Sequence, residues 1–147
     1  MGAMQRRKGK EYERAVALIL RSAFPAADVR RTSQADRAGN SDVIVTGSPL
    51  LEQLWLELND ARAPNPLAKL EQAERDIELA APSNRIRRLP VVIWHRIRER
   101  SHQVTTRLWV LDSLRAVPPA PCDGAAVVVT MELQEFIGLL GAGELGP

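Results

Sequence analysis

The chain has a single cysteine, Cys122, among 147 residues. That excludes a disulfide framework and a cysteine-based zinc site, and it fits a reducing compartment. Long apolar runs are missing as well. None approaches the roughly 18 residues of a membrane span, and no charged-then-apolar leader precedes a small-residue cleavage site. A cytoplasmic protein with no membrane association is the expectation. No Walker-type glycine loop and no dinucleotide fingerprint occur, which argues against a nucleotide cofactor. His95 and His102 have no Cys or His partners at metal-ligand spacing, so a zinc site is a poor reading. Lysine is scarce: Lys8, Lys10 and Lys69 are the only three among 20 basic residues, and the other 17 are arginine.

What is present is charge in blocks. The net charge of +2 resolves into +5 over residues 1–40, −5 over 41–80, +6 over 81–115 and −4 over 116–147. Basic blocks around an acidic block suit a polyanionic partner, with carboxylates held together between them. Solvated faces that happen to cluster are the competing reading. The length suits one domain, over residues 5–140. Residues 1–3 read as a cloning remnant ahead of Met4.

Helical periodicity runs from Lys8 to Ala23, with Tyr12, Val16, Ile19, Leu20 and Ala23 as a core stripe. A short arginine-rich strand is expected over Asp28–Ser33. A hairpin follows, with Asp42–Thr46 and Leu54–Leu58 as strands and Gly47-Ser48-Pro49 in the turn. Both faces of both strands are apolar, as in strands covered on two sides. Asn65-Pro66 opens a second helix, with Leu67, Leu70, Ala73 and Ile77 toward the core. Strands are expected at Pro90–Trp94, Val104–Leu111 and Ala125–Val129, with Trp55, Trp94 and Trp109 on strands. Thr130 would cap a last helix to Leu140. The order α-β-β-β-α-β-β-β-α predicts an α/β domain, a mixed central sheet flanked by helices.

Directly opposed residues in an antiparallel pair have a constant index sum. A turn centred between Pro49 and Leu50 gives 99, which sets Asp42 against Glu57, Val43 against Leu56 and Ile44 against Trp55. Like charges directly opposed on a sheet are destabilising, and half-buried carboxylates without a counter-charge cost more. A divalent cation is the simplest relief, and paired carboxylates with water and phosphate oxygens suit Mg²⁺. Asn59, two residues beyond Glu57, falls on the same face.

Asp42, fourteen intervening residues, then Glu57-Leu58-Asn59 resembles the PD-(D/E)XK nuclease signature. Lys8-Gly9-Lys10-Glu11-Tyr12-Glu13-Arg14 resembles the opening of the archaeal-type Holliday junction resolvases and their phage relatives. Leu70-Glu71-Gln72-Ala73 resembles the second helix of related nucleases. The resemblance covers roughly residues 6–112 and implies a restriction-endonuclease-like fold and Mg²⁺-dependent cleavage of branched DNA, with Mn²⁺ able to substitute. It further implies a homodimer, since symmetric junction cutting needs two active sites, and a bacterial or phage-infected cell. The apolar segment Val127–Leu140 is a candidate dimer surface. On this resemblance Asp42 and Glu57 hold metal, Glu13 completes the shell and Gln72 reaches toward it. Arg6, Arg7, Lys8, Lys10, Arg14, Arg30 and Arg31 would grip phosphates, for which the planar arginine fork is well shaped.

The chain departs from the pattern at Asn59, where the family carries a lysine that activates the attacking water. Three explanations stand open. Asn59 is a natural variant, the role has moved to Arg62 or Lys69, or Asn59 is an engineered inactivating change. The alternatives in function are a nickase, flap or restriction-type nuclease, a DNA-binding module with a dead site, and an assembly protein whose charge blocks only mediate association.

Overall fold

The computed structural model describes residues 3–32, 41–80, 88–96, 98–115 and 127–144, with the backbone alone for 3–8 and 142–144. In chain order the elements are α1 (Ala3–Ala23), β1 (Asp28–Arg31), β2 (Val43–Thr46), α2 (Pro49–Glu52), β3 (Leu54–Ala61), α3 (Pro66–Ala80), β4 (Leu89–Arg96), β5 (Gln103–Arg107), α4 (Leu108–Leu114), β6 (Val128–Glu132) and α5 (Leu133–Glu144). All six strands form one sheet, and their order in space is their order along the chain. Only β3 and β4 run parallel; the other neighbours are antiparallel. Helix α3 is the reason. A parallel neighbour requires a crossover that carries the chain back to the starting end of the sheet, and 15 helical residues supply it. The mixed, helix-flanked sheet matches the expected class.

Period-2 alternation divides the core. Leu54, Leu56 and Leu58 of β3 pack with Tyr12, Val16, Ala17 and Leu20 of α1 and with Leu133, Phe136 and Leu140 of α5. The intervening Trp55 packs instead with Ala73, Ile77 and Ala80 of α3. Strand β3 is therefore covered on both faces, and Leu54–Leu58 are all buried. Each buried leucine contributes roughly 1.5–3 kcal/mol of burial. Strand β2 is covered less completely than expected, with Ile44 half-buried and Thr46 exposed.

The caps follow the sequence chemistry. Asn65 Oδ1 accepts from the Ala68 amide at 3.1 Å, and Pro66 begins α3. Ser48 caps α2 ahead of Pro49. Gly47 sits at φ 85°, and a Cβ there would meet the Ala26 carbonyl oxygen at 3.3 Å, so this turn needs glycine.

Several boundaries differ from expectation, each for a physical reason. Helix α1 starts at Ala3 rather than Lys8. Strand β1 ends at Arg31, and Ser33 lies outside the described residues. The β2–β3 connection contains the short helix α2, because Ser48 and Pro49 make a helix start as readily as a turn. The expected strand Val104–Leu111 is β5 followed by α4. A short apolar run such as Leu108-Trp109-Val110-Leu111 has no decisive period, and the consecutive Val110 and Leu111 are both buried in the helix. Trp109 is thus helical.

The last strand is Val128–Glu132, and Thr130 lies within it rather than capping a helix. Its hydroxyl meets Thr105 Oγ1 on β5 at 2.8 Å, a cross-strand pair in register. Leu67 is 45% exposed, so it is not core, whereas Leu70 and Ala73 are fully buried. Leu70→Ala should cost about 2–5 kcal/mol, and Leu67→Ala should stay within about 0.5 kcal/mol of wild type. Denaturant melts of the two variants check the assignment.

Candidate active site

Val43 of β2 pairs with Leu56 of β3. The index sum is 99, the expected register, and it places Asp42 beside Glu57. Asp42 stands just ahead of β2 and is fixed by its backbone: its N–H donates to the Leu56 carbonyl at 3.1 Å, and its carbonyl accepts from Thr32 N–H at 2.9 Å. The Asp42 carboxylate accepts from the Leu58 N–H at 2.9 Å. Glu57 is 8% exposed, and its Oε1 accepts from the Trp55 indole N–H at 2.8 Å.

Burial raises the Glu57 carboxyl from its ordinary 4.5 to about 8. The Asp42 charge and a hydrogen bond between the two carboxyls add to the rise, while the Trp55 bond and the positive charge of Lys69 oppose it. At neutral pH Glu57 is thus favoured in its protonated form beside the Asp42 carboxyl.

Alternation explains which candidates gather. Leu56 and Val43 face α1, so Asp42, Glu57 and Asn59 face the α3 side. Lys69 on α3 is near enough for its charge to act on Glu57. Arg30 aligns with Ile44 and Arg31 with Val43, so Arg31 falls on the α1 side. There its guanidinium lies 3.6 Å from the Glu13 carboxylate. Glu13 is thus set across the sheet from the acid pair, partnered with Arg31. Gln72 is exposed on α3 beside the buried Ala73. Lys10, Arg14 and Arg30 are exposed, and the side chains of Arg6, Arg7 and Lys8 lie outside the described residues. Among the described residues no group of three His, Cys, Asp or Glu side chains is gathered as a metal site. The acid pair would supply two ligands, with backbone carbonyl, water or phosphate oxygens needed for the rest.

A second cluster has no counterpart among the sequence expectations. His95 Nδ1 lies 3.0 Å from Asp60 Oδ1, and His102 Nδ1 lies 3.2 Å from the Tyr12 hydroxyl. The three rings pack on one another, with centroids 4.6 Å apart for Tyr12–His95, 5.1 Å for His95–His102 and 5.6 Å for Tyr12–His102. Trp94 pairs with Gln103, so a constant index sum sets His95 opposite His102 as well. That sum is the signal in the sequence that could have found the histidine pair. Trp55, the hydrogen-bond donor to Glu57, is a further functional residue without a sequence signal, because a core tryptophan two residues from an acid has no distinctive pattern.

The chain matches no protein-family model and no curated protein. Among the described residues no helix is long and apolar enough to cross a membrane.

Two pH dependences follow. Glu57 holds its proton in the folded state up to about pH 8 but only to 4.5 when unfolded, so folding stability falls as pH rises through that window. Glu57→Gln should melt at a higher temperature than wild type at pH 8–9 and show a flatter profile between pH 4.5 and 8. Burial and the neighbouring His95 lower the pKa of His102 from 6.5. The unfolded chain therefore takes up that proton first, and stability falls as pH drops below 6.5. His102→Gln should reduce this acid-side loss in thermal melts.

Proposed function

We propose that the chain is a Mg²⁺-dependent, structure-selective DNA endonuclease that hydrolyses phosphodiester bonds in branched DNA, four-way junctions foremost. The observation that carries the reading is the proton-sharing Asp42–Glu57 pair, built on neighbouring strands with Asn59 on the same face. The element order α1-β1-β2-α2-β3-α3-β4, with β3 and β4 parallel, supports a restriction-endonuclease-like arrangement. A homodimer presenting two such sites would cut both strands of a junction.

The donor set fits a hard cation. A buried carboxyl pair that resists double ionisation is relieved by a divalent charge, and oxygen ligands suit Mg²⁺ or Mn²⁺. Asp42 and Glu57 would hold it, and its contribution would be to acidify water and to stabilise charge on a phosphate. The protein's own part is positional. Trp55 and the Leu58 amide orient the two carboxyls. Lys69 supplies the positive charge that Asn59 lacks, and the Asn59 amide offers a neutral hydrogen bond to the phosphate. The exposed Lys10, Arg14 and Arg30 position the duplex through its backbone rather than its bases.

One observation favours a second reading. Asn59 stands where the nuclease pattern has lysine, which suits a DNA-binding module whose site is dead. Labelled four-way junctions, flaps and linear duplex, incubated in Mg²⁺ and in EDTA, separate the two. The nuclease reading expects metal-dependent cutting of junctions, abolished by Glu57→Gln and lowered about 10²-fold by Lys69→Gln. Tight binding with no cutting, by the wild type or by Asn59→Lys, establishes the binding module instead.

A further inference from the structure

Lys10 and Arg14 of the first basic block and Arg96, Arg98 and Arg100 of the second are far apart along the chain, and the structure brings them to one end of the sheet. Strands β3 and β4 are parallel and in register, with Asp60 beside His95 and Ala61 beside Arg96. The C-terminal end of β4 therefore emerges at the end of the sheet that carries Asp42, Glu57 and Asn59. From there the β4–β5 connection carries Arg96, Arg98 and Arg100, all exposed. Its backbone is set by an Arg98 in the left-handed region at φ 80° and by a bond from the Glu99 N–H to the Arg96 carbonyl at 3.0 Å. The one acid in it, Glu99, is 4.0 Å from Arg96 at a well-exposed position and neutralises it weakly.

The root of this tip is the ring cluster. His95 closes one strand of the hairpin and His102 opens the other, and both pack on Tyr12 of α1. Tyr12 is flanked on α1 by the exposed Lys10 and Arg14. The cluster thus ties the arginine tip to the basic side of α1, on the face of the sheet opposite the acid pair.

We propose that the β4–β5 tip is a second grip on the DNA backbone, held in position against α1 by the Tyr12–His95–His102 stack. The inference rests on the DNA-binding part of the function proposed above and not on cleavage. The tip arginines would contact phosphates on the duplex arm next to the one gripped by α1. These contacts position the substrate without reading its bases, so they favour the bend between arms over a base sequence.

The test is binding of a fluorescently labelled four-way junction, in EDTA, by anisotropy from 50 to 200 mM NaCl. The variants are matched in charge. Arg98→Gln with Arg100→Gln removes two tip charges. Arg75→Gln with Arg115→Gln removes two exposed charges from α3 and from the residue after α4. The tip double variant should weaken junction binding about tenfold or more and lower the slope of log affinity against log salt by about 2. The matched control should leave the slope within about 0.5 of wild type. Equal losses in the two double variants would show that net charge alone governs binding and would overturn the proposal, as would an unchanged slope in the tip variant. Absence of DNA binding by the wild type at 50 mM NaCl would also overturn it. A wild type that binds with the expected slopes but cuts nothing in Mg²⁺ defeats the nuclease reading and leaves the grip standing.

Discussion

Two carboxyl groups held side by side in a buried hairpin must share a proton or recruit a cation, and much of this molecule is arranged around that constraint. The Val43–Leu56 register brings Asp42 to Glu57. Burial of β3 keeps water from relaxing the repulsion. Trp55 and the Leu58 amide each satisfy one carboxyl, so neither can turn away. Lys69 comes from the opposite layer because α3 must cross the sheet to make β4 parallel to β3. A different connection would have put no positive charge there. The pair therefore stands as a buried like-charge repulsion that protonation of Glu57 relieves, and on the proposed function a hard cation would relieve it as well.

The same topology explains why chemistry collects at one end of the sheet. Strand β2 starts opposite Leu56 and its leading end points toward the C-terminal end of β3, beside which β4 ends. Asp42, Asn59, Asp60 and His95 consequently occupy one rim, although they span more than fifty positions. Alternation along β3 then divides the rim into two sides. Glu57 and Asn59 face α3, while Asp60 joins His95 on the α1 side with Tyr12 and His102. Glu13 and Arg31 belong to this second side, and their ion pair leaves the acid pair a two-carboxylate site.

How much of this is legible in the sequence differs by element. The hairpin register follows from one turn and a constant index sum, so the Asp42–Glu57 juxtaposition can be read from the amino-acid order alone. The Asn65 cap is readable because a side-chain oxygen two or three residues ahead of free amides has few other uses. Boundaries around Leu108–Leu111 and Thr130 are not. An apolar run of four has no decisive period, and a threonine serves equally as a cap or as half of a cross-strand pair. Leu67 shows the limit of helical spacing: its position fits the stripe, yet it is exposed in the first turn of α3, while Leu70 three residues on is fully buried. The placement of Glu13 cannot be read either, since a helix position says nothing about which face of the sheet the helix covers.

On the proposed function, the Asp42–Glu57 pair takes up a divalent cation in exchange for the proton on Glu57. The most direct test of that exchange is proton release on adding Mg²⁺ to the protein in weakly buffered solution near pH 7, followed with a pH indicator. Release approaching one proton per chain, abolished in both Asp42→Asn and Glu57→Gln, is the predicted result. No release by the wild type at millimolar Mg²⁺, or equal release by the two variants, would contradict it.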